Sequence, residues 1–414
     1  MTSSAADVLD LDITGIAHGG TFIARHDGRV VFVSDAIPGE RVRARLLDPS
    51  AGAGEPDTRS FWRAETIEVL EASPHRRPHI WPEADVAHDP AQRPGGADLG
   101  HIDLGHQRVL KRQVLSEAFD RFAGPGLEAP EIEAVESGDG TGWRTRVTLH
   151  VDDEGRIGPF AARSHRVVPV STHPLARPAI AEAALALQGE KAGRIELVEP
   201  ADGRVRILRH PEAERRSPRD RRPRPTPEVV QERVGDRTFD VDAGGFWQVH
   251  PRAASVLDGA VYGLLDGHVE PDATHYDLYG GVGLFARTLA DLGGTDVVTV
   301  ESSRRATQHA AANLAPLDVT AVTARVDRFL QQPRRGGVTG AVVLDPPRSG
   351  AGRAVVEGVH ALSPSAIAYV ACDPVALARD LGTFRGLGWE VGALRGFDLF
   401  PHSHHFEVVA LLTR

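Results

Sequence analysis

Cysteine is almost missing from these 414 residues, which carry one thiol, Cys372. One sulfur cannot form an internal disulfide, a four-cysteine zinc site or an all-cysteine iron–sulfur cluster. Cys372 is therefore either inert packing or chemistry. Lysine is nearly as scarce: Lys111 and Lys191 stand alone among 47 basic residues. That bias toward arginine, with abundant Ala, Gly and Pro, reflects GC-rich coding rather than function. Positive charge is not in excess either, since 57 acidic residues leave a net charge of −10. Any nucleic-acid binding must then rest on local patches. No run of about eighteen apolar residues occurs, and residues 1–10 lack the basic start and apolar core of a signal peptide. A cytoplasmic protein without membrane contact is expected. At 41% hydrophobic and 25% charged, the composition is that of a globular chain long enough for two or three domains.

Short apolar segments at 8–13, 21–25, 30–33, 42–47 and 61–70 are separated by turns such as His18-Gly19-Gly20, His26-Asp27-Gly28 and Pro38-Gly39-Glu40. Strands at this spacing predict a small β-barrel of the OB type. The stretch ITGIAHGGTFIARHDGRVVFVSDAIPGERVRARL resembles a TRAM domain, a barrel whose family binds RNA, so the resemblance implies an RNA partner. Residues 74–98 read as a connecting segment. Helical spacing of Val114, Leu115, Ala118, Phe119 and Phe122 predicts a helix over 107–122, stopped by Gly124-Pro125-Gly126. Strands are expected at 144–150, 167–170 and 205–208, with an Ala-rich helix at 178–188. Six arginines interleaved with prolines at 211–227 exclude helix and central strand and predict an extended basic loop. That loop is a solvated insertion or a contact for an RNA backbone.

From about residue 272 the pattern alternates apolar strands with Ala-rich helices, the mark of a doubly wound α/β sheet. The strand candidates are 276–279, 296–300, 341–344, 366–371, 390–397 and 406–412. Ligands in such sheets sit beyond the carboxyl ends of the strands, which brings Tyr279, Glu301, Asp345 and Cys372 together. Tyr279-Gly280-Gly281-Val282-Gly283 turns from strand to helix, with Gly281 and Gly283 allowing close approach to a ligand. Glu301, eighteen residues beyond Gly283, can accept both hydroxyls of a ribose. A dinucleotide fingerprint wants a further glycine where Arg287 stands, so S-adenosylmethionine is the better fit, with Asp327 placed to face its adenine.

Asp345-Pro346-Pro347-Arg348 rigidifies a strand exit behind a fixed carboxylate. Arg348 stands where base-amine methyltransferases carry a stacking aromatic, which suits a phosphate or a base oxygen better. Cys372 ends the next strand beside Asp373. Glu407 is an acidic residue entering the apolar run Phe406-Glu407-Val408-Val409, where it needs a partner or a job. His402, His404 and His405 lie close together but offer no metal-ligand spacing with Cys372, so no metal site is expected.

The segments GGFWQVHP, DLYGGVGLF, VLDPPRSG, AYVACDPVALARDL and FPHSHHFEVVALL, in that order, resemble the RNA uridine-5 methyltransferases that make 5-methyluridine in tRNA and rRNA. The resemblance spans nearly the whole chain. It implies an α/β class I methyltransferase sheet preceded by an N-terminal OB-like barrel and a small α+β middle domain. The implied limits are 1–72 for the RNA-binding barrel, 73–240 for the middle domain and 241–414 for the S-adenosylmethionine-dependent domain. Matched position by position, the family's cofactor and substrate residues fall on Gln248, Tyr279, Glu301 and Asp345, its nucleophile on Cys372 and its general base on Glu407. In that chemistry a thiolate adds to carbon 6 of uracil so that carbon 5 can attack a sulfonium methyl. A free thiol has a pKa of about 8.5, so nearby positive charge is expected to lower that of Cys372, with Arg348 and His402 as contributors. Phe246 or Trp247 is expected to brace an extruded uridine or merely to pack.

The sequence departs from the resemblance at the family's four cluster cysteines. Pro94 and Ala97 stand at two of those positions and His88 and His173 at the others, so no iron–sulfur cluster is expected. A monomer is expected. Two alternatives remain open: a non-catalytic RNA-binding protein using the fold as scaffold, and a methyltransferase for another base or a small molecule. Replacing Cys372 with Ala separates all three, because only the favoured enzyme loses turnover.

Overall fold

The computed structural model describes residues 8–47, 60–212, 226–332 and 337–414. Most of the basic loop expected at 211–227 lies outside the described residues. Five strands, β1 (Val8–Ala17), β2 (Thr21–His26), β3 (Arg29–Ser34), β4 (Arg41–Leu46) and β5 (Phe61–Glu71), close into a barrel in the order β1-β2-β3-β5-β4. The period-two alternation decides which side chains face in: Val42 and Ala44 of β4 are buried, while Arg41, Arg43 and Arg45 face out. The buried Glu40 carboxylate receives both arms of Arg76, at 2.6 and 2.7 Å, tying the barrel to the segment that follows it.

Helix α1 (Leu104–Ala118) begins three residues before the sequence places it, because the Asp103 side chain caps it by accepting from the His106 amide at 2.9 Å. It ends in a π-helical turn, Phe119–Ala123, before Gly124 at φ 88°. Leu110 and Val114 of α1 pack on the barrel core, and Leu115 and Phe119 pack on the large sheet. Strand β6 (Ile132–Ala134) joins that sheet at its edge, beside Gly396. The middle of the chain thus shares its core with both neighbours.

A second sheet contains β7 (Arg146–Val151), β8 (Ile157–Gly158), β9 (Gly193–Val198) and β10 (Arg206–Pro211), with α2 (Pro178–Leu185) packed against it. The expected strand at 167–170 is not formed: Val167 makes an isolated bridge to Phe160, and Pro169, which has no amide N–H to donate, interrupts any ladder. A hairpin of β11 (Val229–Val234) and β12 (Arg237–Asp242) and helix α3 (Ala253–Leu265) lead into the C-terminal sheet and have no counterpart in the sequence reading.

That sheet continues with β13 (Thr274–Leu278), α4 (Leu284–Asp291), β14 (Asp296–Glu301), α5 (Arg304–Asn313), β15 (Val319–Thr323), α6 (Val326–Phe329), β16 (Thr339–Leu344), α7 (Arg353–Leu362), β17 (Ile367–Ala371), α8 (Pro374–Gly386), β18 (Glu390–Asp398) and β19 (Glu407–Thr413). Its order is β15-β14-β13-β16-β17-β19-β18-β6, with β19 antiparallel to β17 and β18. The central strands are buried on both faces, so they read as continuous apolar runs. The chain reverses direction across the sheet between β13 and β16, the switch point where such sheets open a crevice for ligands. Among the described residues no helix is long and apolar enough to cross a membrane.

Candidate active site

Strand register assembles the site. Leu278 of β13 lies between Val300 of β14 and Leu344 of β16, so the next residues, Tyr279, Glu301 and Asp345, emerge side by side. On the other flank Ala371 of β17 pairs with Val408 of antiparallel β19. One step further along that register, Cys372 and Glu407 face each other. Cys372, Glu407, Asp345, Glu301, Tyr279 and Gly281 all line one cavity of about 1380 Å³. Small-molecule pockets run to roughly 1,000 Å³, so this one has room for a cofactor and a nucleotide together.

The turn after β13 is conformationally demanding. Tyr279 takes φ 67°, a left-handed conformation that a bulky residue rarely adopts, and Gly281 follows at φ 54°. Gly280 has no room for a side chain, since a Cβ there would overlap Thr299 Oγ1 and Asp277 Oδ2. Gly281 has open space beside it. Gly283 is a correction: it is not in the cavity wall. It precedes α4 at φ 97°, and a Cβ there would collide with Leu314. Its role is to let α4 start and pack.

Three carboxyls at the strand ends, Asp277, Asp345 and Glu407, are hard to ionise. Burial pushes the Asp277 carboxyl up to about 7, although Thr299 Oγ1 and the Ala286 amide both donate to Oδ2 at 3.0 Å. Its Oδ1 is buried without a partner. Burial, followed by repulsion from Asp277, raises Asp345 to about 7. Glu407 is raised well above the usual carboxylate range by burial and then by Asp345, with Arg348 opposing. Cys372 is pushed up to about 12 by burial first, then by Glu407 and Asp345. This corrects the expectation of a lowered thiol. Arg348 does act in the expected direction on Cys372, but it is outweighed.

His402 has its ring committed to partners other than Cys372. Its ring bonds the Gln107 side chain at 3.0 Å and the Asp139 carbonyl at 2.6 Å, its amide donates to Gln107 Oε1 at 2.8 Å, and its carbonyl accepts from the Leu99 amide at 2.9 Å. It anchors the loop before β19 to α1. His404 pairs with Asp98 at 2.6 Å, and burial depresses His405 to about 3, so it is neutral. No group of three or more potential metal ligands occurs among the described residues.

This donor set fits S-adenosylmethionine. Asp345 and Glu407 line the cavity and resist ionisation, so a cationic ligand there would be favoured by their carboxylate forms. Glu301 Oε1 accepts from Ser302 Oγ at 3.0 Å and the Ser303 amide at 2.6 Å, which fixes the carboxylate while no donor among the described residues takes Oε2. Gln248 and Asp327 also line the cavity. Asp327 is held by Arg325 at 3.0 and 3.1 Å. Phe246 lines it too and is 76% exposed, whereas Trp247 is buried against Phe239.

Two features escaped the sequence reading. Asp277 lies inside an apolar strand, where a buried acid just before a glycine turn was the available signal. The barrel also reaches the catalytic end of the sheet: His18 bonds Asp373, the residue after Cys372, at 2.9 Å, while Asp373 caps α8 by accepting from Ala376 N at 2.8 Å. No sequence pattern announces a contact spanning 355 positions.

Residues 338–414 match the sequence model of the family described as tRNA (Uracil-5-)-methyltransferase, and residues 6–50 match the TRAM domain. The chain is 39% identical to an RNA methyltransferase of uncharacterized function from Streptomyces avermitilis, covering 97% of each. It is 32% identical to the 23S rRNA (uracil(1939)-C(5))-methyltransferase RlmD of Halomonas elongata, over 97% of this chain and 89% of that one. In fold it is similar to the Pyrococcus abyssi tRNA (uracil-54, C5)-methyltransferase solved with S-adenosyl-L-homocysteine, with a TM-score of 0.69 at 20% identity, covering 97% and 99% of the two chains.

Proposed function

Because this chain belongs to the S-adenosylmethionine-dependent RNA uracil-C5 methyltransferases, we propose that it methylates carbon 5 of a uridine in structured tRNA or rRNA, with Cys372 as nucleophile and Glu407 as general base. The observation that carries this reading is the placement of the only thiol opposite a buried carboxylate at one register step of β17 and β19, both opening into the large cavity.

Carbon 5 of uracil is a poor nucleophile. Addition of the Cys372 thiolate to carbon 6 moves the electron pair of the C5–C6 double bond toward oxygen 4, and the resulting enolate makes carbon 5 reactive. S-adenosylmethionine, when bound, supplies an electrophilic methyl group on a positively charged sulfur. Glu301, with Gln248, Tyr279, Gly281, Asp327 and Asp345, would hold it. After methylation Glu407 removes the carbon 5 proton. The electrons of that C–H bond re-form the double bond and expel the Cys372 sulfur. The thiol proton leaves to solvent as the thiolate forms, and Glu407 afterwards hands its proton to the expelled sulfur, which restores the Cys372 thiol and the carboxylate.

Burial makes both Cys372 and Glu407 resist ionisation in the free protein. The site therefore keeps its nucleophile protonated until positive charge enters the cavity, which protects the thiol from other electrophiles. Arg348, exposed at the strand exit, is the nearby protein cation acting on both groups.

The test uses 5-fluorouridine-substituted total RNA with S-adenosylmethionine. Fluorine at carbon 5 cannot leave as a proton, so elimination fails and the RNA stays attached to Cys372. A covalent adduct that disappears in Cys372→Ala is expected, and its mapped position identifies the uridine. Methylation that persists in Cys372→Ala would overturn the reading.

A further inference from the structure

Beside the large cavity lies a second one of about 510 Å³, enclosed by the barrel turn at Gly19 and Gly20, the Trp81–Asp98 segment and the sheet containing β7. The two cavities share Gly96, Asp98, Arg144 and His404 in their walls. They are therefore adjoining compartments, and a chain of nucleotides entering one can extend into the other.

The second compartment is furnished for a planar ring. His150 and Phe160 stack on each other in its wall, 3.5 Å between centroids and 12° from parallel, and His165 meets Phe160 edge-on. Both stacked rings are only partly buried. Trp81 also lines the cavity, is 5% exposed, and its indole N–H is buried without an acceptor. A buried donor with no partner costs free energy unless a ligand supplies one.

The charges point to an anion at the junction. The acids of the wall are already paired, Asp35 with Arg93 at 2.8 Å and Asp98 with His404 at 2.6 Å. Neither Arg144 nor Arg163 forms a salt bridge with a carboxylate among the described residues; Arg144 Nε donates to the Arg146 carbonyl at 3.1 Å, and after burial the charges acting on Arg144 are repulsion by Arg348 and attraction by Asp98. A guanidinium always carries its charge, so Arg144 at the junction, with Arg163 in the wall of the second cavity, favours a phosphate. Arg163 is exposed on the rim at φ 55°.

We propose that the second cavity is a nucleotide subsite: it receives the base of a residue next to the target uridine, stacked on the His150–Phe160 pair, while Arg144 holds the intervening phosphate. The enzyme thereby takes two bases out of the RNA stack, and its sequence preference resides in this compartment as well as in the uridine pocket. The subsite rests on the uridine-methylation reading for its neighbour but not for its own contacts. Base–aromatic stacking contributes about tenfold or more in affinity, and single-stranded RNA is read in this way.

The test measures binding of a fluorescein-labelled pentaribonucleotide with a central uridine to the full-length protein by anisotropy. It is repeated with an abasic residue on either side of the uridine, and with Phe160→Leu, which keeps apolar volume without a ring, and Phe160→Tyr, which keeps the ring. Removing the base at one flank should weaken binding to the wild type and to Phe160→Tyr about tenfold or more and leave binding to Phe160→Leu nearly unchanged. Equal losses in wild type and Phe160→Leu, or no loss at either flank, would overturn the subsite. A parallel arm replaces the central uridine with 5-fluorouridine and adds S-adenosylmethionine. Adduct without coupling sinks the subsite alone; coupling without adduct sinks the uridine-methylation reading alone; neither signal sinks both.

Discussion

Alkylation of Cys372 against pH tests the electrostatics of the site directly, because a thiol reagent has a single cysteine to find. The structure moves this thiol from 9.0 to about 12. Three pKa units correspond to about 4 kcal/mol between protonation states and to a roughly thousandfold smaller thiolate fraction at neutral pH. Iodoacetamide modification followed by intact mass should therefore be about a thousandfold slower at pH 7.5 than for an unfolded peptide containing the same cysteine. Its rate should rise about tenfold per pH unit up to pH 10 without levelling off. Glu407→Gln removes the largest repulsion after burial, so its rate at pH 9 should exceed the wild-type rate while still failing to reach a plateau. A wild-type plateau near pH 8 to 9 would refute the reasoning, because it would mean that positive charge outweighs burial at Cys372. A Glu407→Gln rate equal to wild type would remove the carboxylate from the account.

Three further predictions concern the cofactor and the joints between elements. Glu301→Ala should weaken S-adenosylhomocysteine binding in calorimetry by about a hundredfold, the loss of two charge-assisted hydrogen bonds; an unchanged Kd would show that Glu301 does not meet the ribose. Lys111 and Asp398 form a buried pair at 2.6 Å, and the Lys111 ammonium also donates to the Phe400 carbonyl at 3.1 Å. Lys111→Met strands Asp398 and should cost about 3–5 kcal/mol in urea unfolding, with the Lys111→Met/Asp398→Asn double variant recovering part of it. The third tests the His18–Asp373 contact, where the hydrogen bond to Asp373 raises His18 above 6.5 and His18 helps lower Asp373. The His18 contribution is complete below pH 6.5 and is lost as pH rises through the raised folded value; that of Asp373 is lost only as acid protonates it. His18→Asn should lower Tm at pH 6 and match wild type at pH 9, the pair being half-exposed and worth below about 1 kcal/mol. A Tm gap that persists at pH 9 would assign the effect to packing.

The amino-acid sequence by itself determined the barrel, the doubly wound sheet and the strand-end residues, for a physical reason. Both are built on local alternation: period-two burial with glycine turns in the barrel, apolar strands before glycine or proline exits in the sheet. A residue at a strand exit such as Glu301, Asp345 or Cys372 is placed by its own few neighbours. Val167 shows the limit, since its apolar run reads as a strand and finds only one bridging partner, at Phe160.

What only the tertiary structure decided is everything that depends on burial and on distant partners. The sequence placed Arg348 and His402 beside Cys372 and so expected a lowered thiol. Folding buries Cys372 opposite Glu407 and near Asp345, turns His402 toward Gln107 and Asp139, and reverses the sign. Gly283 likewise belongs to the start of α4 rather than to the cavity. The second cavity is assembled from the barrel, the connecting segment and the middle sheet, three stretches with no shared pattern. Charge and solvent access are sums over neighbours brought from anywhere in the chain, and strand periodicity carries no record of them.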